Sequence, residues 1–502
     1  MGLWPALSSH EGRAPTRLEY YPSIRHTNNI MDPNSALFRI WDFLAFTAVP
    51  FVVVLGIMIF VHELGHFLAA RLVNVRVLVF KLGFGRYLFK FRRGHTEYGV
   101  GWMPIGGYVR MFGDPTEVEG EEHDTPLAEI TEQDKAEALI YKPAHHKLLV
   151  FFAGPLMNIA LAFILAPLIF MLGVPQAPPI TGLIEPDSPA AIAGIKPGDR
   201  IVSIGGKAVN SFRDMMMEEA LNPEQTLVYV VDRKGQRLEI PLTLRKSENQ
   251  KMGPLGESGI TEYLSAQVGG LSKDSPAEKA GLVPGDTITR LNDREIGDWA
   301  DLTEVIGASQ GQELNVVALR RGRPLTFKIT PQYHKEYQRY LIGIAPFQET
   351  EIVKYGLADS MSKGSRYCVE MVAQTYVVLW KLISLKLSPK VMSGPLGIGA
   401  ITSKAAHSGF AALLGFTVLI SINLGILNLL PFPPLDGGHI LFTSVETVIR
   451  REIKMSYKEM TFRVGFALLL ILMALVTVND FLRYKSDMLE FFKAIGKGLG
   501  LG

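Results

Sequence analysis

His62, Glu63 and His66 sit together in Val61-His62-Glu63-Leu64-Gly65-His66, with no turn signal before them. On a helix, positions 62 and 66 are one turn apart on one face, so both imidazoles can reach a single metal ion. Glu63, beside the first imidazole, is placed to act as general base toward a water on that ion. The plainer reading is three polar residues at a helix end, snorkelling to lipid headgroups. Against it, ionisable side chains inside a membrane helix are rare and mark functional sites by default.

The stretch lies where charge is expensive. Residues 43–60 are apolar or small, long enough for the body of a membrane-spanning helix, and apolar character resumes over 67–73. The chain has 502 residues, 48% of them hydrophobic, and a formal net charge of +2. That is too long for one ordinary domain and too apolar for a purely soluble protein. Near-neutral charge gives no case for a nucleic-acid partner. One cysteine, Cys368, permits neither an internal disulfide nor a thiolate cluster, so nitrogen and oxygen must hold any metal.

Residues 1–42 form a polar tail without the apolar core of a secretory signal, and Met31 is an alternative start. The first span covers 43–74, with Pro50 either kinking it or opening its regular part. Arg71, Arg76, Lys81, Arg86 and Lys90 follow, which places them in the cytoplasm and the amino terminus outside. Residues 75–147 make a cytoplasmic loop with strands at 75–80 and 98–102, turns at Gly83-Phe84-Gly85 and Arg93-Gly94, and an acidic solvated stretch at 117–124. The strands form either a small cytoplasmic hairpin domain or a sheet dipping back toward the polar helix. The second span, 148–173, is expected to break near Pro155. Asn158 in it either bonds a neighbouring helix or shapes the site, while the adjacent His145 and His146 are interfacial.

After the second span the sequence becomes that of a soluble protein, and it repeats. Asp187-Ser188-Pro189-Ala190 with Pro197-Gly198-Asp199 recurs 87 residues later as Asp274-Ser275-Pro276-Ala277 with Pro284-Gly285-Asp286. Each copy predicts a short helix, a Pro-Gly-Asp turn and a strand, and the offset fits a small domain rather than a solenoid unit. The two copies, 178–262 and 263–347, resemble PDZ domains of the permuted type, folds that take peptides by adding a strand to a sheet edge. The other reading of each copy is a rigid spacer with a closed groove.

An amphipathic region at 350–408, with Ser393-Gly394-Pro395-Leu396-Gly397 as a loop, is expected to lie on the outer membrane surface. The third span, 409–437, ends in Asn428-Leu429-Leu430-Pro431-Phe432-Pro433-Pro434-Leu435-Asp436-Gly437-Gly438, whose prolines stop the helix and whose glycines allow a tight turn. A cytoplasmic loop (438–461), a fourth span (462–482) and a tail (483–502) complete the chain. Because the first and third spans both run inward, Asp436 can meet His62 and His66 at one depth. Two imidazoles, one carboxylate and an open position are the ligand count of a catalytic zinc site. His439 competes as a ligand, but past two glycines it is expected to be a loop histidine near the site. Asn428 offers an amide for substrate backbone or a developing oxyanion, or simply a helix-end hydrogen bond.

These motifs, together with Gly106-Gly107-Tyr108-Val109, resemble the site-2 protease family of intramembrane zinc metalloproteases, in its tandem-PDZ bacterial type, over residues 43–482. The resemblance implies a polytopic α-helical membrane protein with four transmembrane helices, a re-entrant β-segment and two inserted α+β PDZ domains. It implies Zn2+ on His62, His66 and Asp436, Glu63 as catalytic base, and a β-segment at 75–112 that holds substrate as an extended strand. Gly106, Gly107, Asn428 and Pro431 are then the substrate-binding positions. The implied partners are single-pass membrane proteins already trimmed outside, such as an anti-sigma factor, with peptide termini at the PDZ grooves and membrane lipid around the spans. The implied place is the bacterial inner membrane, with the PDZ pair outside and the active site in the cytoplasmic half.

Three rival readings remain. Intramembrane His and Asp also mark ion paths, but a transporter usually repeats its membrane halves, and here only the soluble part repeats. A PDZ scaffold with a structural metal gives no reason for Glu63. A soluble serine protease lacks a Gly-x-Ser-x-Gly context near the repeats.

Overall fold

A computed structural model describes residues 36–114, 131, 134–246, 255–334, 337–387 and 392–498; the expected acidic loop at 117–124 lies outside them. The chain divides into two compact units, one holding 173–353 and the other 28–172 with 354–502.

Among the described residues of the larger unit, four helices are long and apolar enough to cross a membrane: Arg39–Leu72, Ala144–Leu172, Phe410–Asn428 and Met455–Lys485. The first is helical from Ala36, so the expected tail gives way before residue 42. A π-helical segment, Leu44–Ala48, precedes the regular helix Val49–Leu72 with Pro50 at its start. Proline has no N–H to donate and crowds the carbonyl four residues back, and the wider turn absorbs both. The second helix corrects an expectation: Ala144–Leu172 runs unbroken through Pro155 and Pro167 and carries His145 and His146 in its first turn. Packing against neighbouring helices lets a membrane helix tolerate proline.

Small residues draw these helices together. A Cβ at Gly65 would stand 2.4 Å from the Ala153 carbonyl oxygen, and one at Gly425 would stand 2.9 Å from that of Pro155. Ser421 Oγ donates to the Asn158 carbonyl oxygen at 2.7 Å, tying third span to second.

Residues 350–408 hold two helices, Leu357–Ile383 and Pro395–His407, among those described. The second replaces the expected loop at 393–397: Pro395 opens it, where a missing N–H costs nothing, and Asp480 accepts from the Gly397 N–H at 2.7 Å. Two further corrections concern the last third of the chain. Residues 438–461 are largely helical, within Asp436–Ile449 and the start of Met455–Gly498, and that last helix enters the expected tail and runs to Gly498, with no proline to interrupt it.

The β-segment is longer than its sequence signals. Strand Val77–Arg93 pairs with Thr96–Met111, and each long strand bends, so that four paired stretches result. Residues 77–82 pair with 107–111 on one side and with 97–100 on the other, and 87–93 pair with 96–101. The bend in the first strand falls at Gly83 and Gly85, both at positive φ, and that in the second includes Gly106. Stretch 107–111 is therefore an edge, paired on one side only. Phe80 packs its ring edge-on against Phe60 and Phe67 of the first span. Lys81, on the other face, is buried with its ammonium 4.0 Å from the centre of the Tyr87 ring, not a solvated surface charge.

The smaller unit contains the repeat twice over. Each copy has a strand, a short helix capped by a serine (Ser188, Ser275), a four-stranded antiparallel sheet and a longer helix, Phe212–Ala220 or Trp299–Ala308. The first strands, Thr181–Ile184 and Val268–Leu271, pair with late ones, Ile260–Glu262 and Ile344–Pro346. The aspartates of the two Pro-Gly-Asp turns have one task. Asp199 accepts from the Lys196 N–H and from Arg233, and Asp286 accepts from the Val283 N–H and from Arg320, at 2.7–3.0 Å. Each arginine also donates to a loop carbonyl, Gly194 or Gly281, so one buried carboxylate ties the turn to a strand of the sheet in both copies.

Candidate metal centre

His62 and His66 lie on the buried face of helix Val49–Leu72, one turn apart, where the first span crosses the second. The third span ends at Asn428, and residues 429–435 lead through a Pro433–Pro434 cis peptide to helix Asp436–Ile449. Asp436 opens that helix, and the two glycines are its first turn, not a tight reverse turn. They are there for close approach: a Cβ at Gly437 would stand 2.0 Å from the Leu430 carbonyl oxygen, and one at Gly438 would stand 2.9 Å from the Pro433 nitrogen. The chain thus doubles back on itself and delivers Asp436 to the imidazoles.

The three side chains converge. His62 Nε2 and His66 Nε2 are 3.2 Å apart, Asp436 Oδ2 lies 3.2 Å from the first, and Oδ1 lies 3.4 Å from the second. His66 Nδ1 donates to the Val150 carbonyl oxygen at 2.8 Å, so in the neutral imidazole Nε2 carries the lone pair and faces the group. Asp436 Oδ2 is buried and has no hydrogen-bond partner among the described residues. Lone pairs that face one another across an apolar interior repel unless a cation stands between them. Tetrahedral zinc with ligands at about 2.0–2.1 Å requires donor atoms roughly 3.3 Å apart, the spacing found here. The donor set fits a zinc ion.

Glu63 stands beside this group, partly buried, and its carboxylate accepts from the Val109 N–H. Gly107 keeps edge 107–111 close to the helix: a Cβ there would meet Ile59 at 3.0 Å and the Glu63 side chain at 3.2 Å. Asn428 brings its Nδ2 to 3.4 Å from His62 Nε2. Gly106 shares the bend of the hairpin with Phe84, whose ring fills the space its side chain would take. Pro431 lies exposed in the connection before Asp436, with no described contact to the group. His439 is on a helix rather than in a loop, with its ring centre 4.8 Å from that of Phe151 and 4.6 Å from that of Phe462.

Sequence reasoning missed Gly154 and Val150 of the second span, both in contact with His66. A main-chain carbonyl leaves no mark on sequence. The small pair Ala153-Gly154 was the one available signal of a close helix crossing.

A model of peptidase family M50 matches residues 50–472. The chain is 30% identical over 461 residues to the regulator of sigma-E protease RseP of Escherichia coli K12, an alignment covering 88% of this chain and 99% of that one. It is 31% identical over 449 residues to the regulator of sigma E protease of Haemophilus influenzae, covering 86% and 98%. A Vibrio cholerae protein that carries the name of a zinc metalloprotease is 32% identical over 464 residues, covering 88% and 99%. Among solved structures, the PDZ domain of an SdrC-like protein from Listeria monocytogenes is similar at 18% identity, over 17% of this chain and 90% of that one; its TM-score of 0.16 gives it no weight.

Proposed function

The chain belongs to peptidase family M50 and is a zinc-dependent metalloprotease, and from that premise we propose that it cuts single-pass membrane proteins within their spans, at a centre built from His62, His66, Asp436 and Glu63. The observation that carries the reading is the convergence of two imidazole nitrogens and a carboxylate at 3.2–3.4 Å on one side of an apolar helix crossing. A zinc ion held by His62, His66 and Asp436 supplies Lewis acidity, polarising a carbonyl and acidifying a water.

The rest is done by the chain itself. Glu63, oriented by the Val109 N–H, takes the proton from the attacking water and returns it to the leaving amine nitrogen. Asn428 offers its amide N–H to the carbonyl oxygen as negative charge develops there. A substrate helix hides its peptide groups and must unwind locally before it can be cut. Edge 107–111 would receive the unwound segment as an added strand, with Gly106 and Gly107 at its start and Pro431 in the turned connection that leads to Asp436. The names of the relatives point to an anti-sigma factor as the substrate class. The protein would reside in a bacterial inner membrane, with the arginines and lysines after the first span on the cytoplasmic side and the two PDZ-like repeats outside. There the repeats would bind peptide termini and gate access of untrimmed substrates.

The test compares purified wild type with Glu63→Gln in detergent, each assayed for bound zinc and for cleavage of a single-span substrate. Both should bind zinc and only wild type should cut. Cleavage by the Glu63→Gln variant at the wild-type rate would remove Glu63 from the chemistry.

A further inference from the structure

The two imidazoles of the metal centre are not equally provided for. His66 has an acceptor for its Nδ1 proton, the Val150 carbonyl oxygen at 2.8 Å, and that contact frees Nε2 for a metal. His62 must turn its own Nε2 toward the same point, so it too needs a proton on Nδ1 and an acceptor to receive it. The only described group at that nitrogen is Asn158, whose Nδ2 stands 3.3 Å from it. An amide nitrogen is a donor and cannot accept. Meanwhile the Oδ1 of the same amide is buried and has no partner among the described residues.

One half-turn of the Asn158 amide answers both needs, since it exchanges Oδ1 and Nδ2 without moving any other group. We propose that Asn158 is a positioning residue of the metal centre: its side-chain carbonyl accepts from Nδ1–H of His62 and holds that imidazole with Nε2 toward His66 and Asp436. The proposal rests on the metal-centre reading above. A purely structural role for the side chain is already served by other atoms. The Asn158 main chain is anchored to the third span through Ser421 Oγ, and the first and second spans are held at close range by Gly65 against Ala153. Asn158 itself is fully buried, so its amide was placed there at the full cost of desolvation, which only a hydrogen bond offsets. In this arrangement the second span serves both imidazoles, one with a main-chain carbonyl and the other with a side-chain carbonyl.

The experiment compares wild type, Asn158→Ala and Asn158→Asp as full-length protein in detergent. Each is stripped of metal and titrated with zinc against a fluorescent chelator, and thermal unfolding of the metal-free forms reports any general loss of packing. Aspartate keeps an acceptor and discards the donor, so it separates the two amide orientations. Asn158→Ala is expected to weaken zinc binding by ~10–100-fold, and Asn158→Asp to hold zinc at least as tightly as wild type. Wild-type affinity in Asn158→Ala, or an Asn158→Asp variant as weak as alanine, would overturn the proposal. If Asn158→Ala does not assemble, the aspartate variant decides alone: zinc retained supports the carbonyl acceptor, zinc lost refutes it. Zinc missing from wild type as well would instead remove the metal centre itself, and this inference with it.

Discussion

Gly154 of the second span lies directly against His66: a Cβ at position 154 would stand 2.3 Å from its Nε2. That nitrogen is one of the converging donors, so a single methyl group would compete with a metal for the same space. Alanine at 154 must push the imidazole aside or part the two helices. Either movement breaks the donor spacing without removing a donor. Gly154→Ala should therefore cost at least the ~10–100-fold in zinc affinity expected of a misplaced ligand. Gly56→Ala, on the same helix as His66 but with open space around its Cβ, should leave zinc binding unchanged. Equal zinc content in the two variants after dialysis would contradict the crossing geometry.

How much of this was legible depended on range. The His62–His66 pair could be read because helical spacing alone places both on one face, and the meeting of Asp436 with that pair followed from counting spans. The helix that Asp436 opens could not be read. Gly437 and Gly438 are ordinary turn signals in sequence, and only the Leu430 carbonyl lying 2.0 Å from a would-be Cβ explains them as a close approach. The hairpin was similar: Gly83 and Gly85 marked a change of direction correctly, but pairing of 77–82 on both sides is a long-range fact. Pro155 misled for a related reason. Proline predicts a break when the chain is considered alone, and the helix runs through it because neighbouring spans hold it in place.

Removing Asp436 should separate a ligand from a neighbour. Asp436→Ala takes away the only oxygen donor of the group, so zinc and proteolysis should fall together, by more than the ~10–100-fold that a supporting residue costs. His439→Ala, three residues on, removes a ring packed between Phe151 and Phe462, and should cost stability while zinc stoichiometry stays at the wild-type value. Full zinc in the Asp436 variant with loss in the His439 variant would exchange their roles.

The Pro-Gly-Asp aspartates give a prediction for the repeat unit. Asp199 and Asp286 are almost completely buried, while their arginine partners are 26% and 33% exposed. Removing one partner of a buried pair strands the other and also frees a turn N–H, which together cost on the order of 3 kcal/mol, the low end of the range because the arginines keep some water. Asp199→Ala and Asp286→Ala should each make their own repeat the first site of limited proteolysis. Zinc content should not change, because all three metal-ligand candidates belong to the other unit. A drop in zinc in either variant would show that the repeats support the centre directly.

Glu219 distinguishes the two repeats by pH. It lies on helix Phe212–Ala220, where its carboxylate accepts from Tyr229 OH at 3.0 Å and from Ser258 Oγ at 2.9 Å. The positions 87 residues later are Ile306 and Val316, both buried and apolar, so the second repeat closes the same contact without a titrating group. Burial raises the Glu219 carboxyl above its ordinary 4.5, outweighing the two hydroxyl donors that favour the charged form, and nearby Glu257 adds to the rise. A carboxyl whose pKa is higher folded than unfolded contributes its stability fully below the unfolded value and loses it as pH rises through the folded one. The first repeat should accordingly weaken as pH rises above the ordinary carboxyl range, and the second should not weaken on this account. Glu219→Gln keeps one oxygen to accept from one hydroxyl, turns an NH2 donor toward the oxygen of the other, and removes the titration. Hydrogen exchange, corrected for its intrinsic pH dependence, should show protection of residues 212–220 declining with pH in wild type and holding level in the variant. Parallel declines in the two proteins would mean that another group in the first repeat sets its pH response.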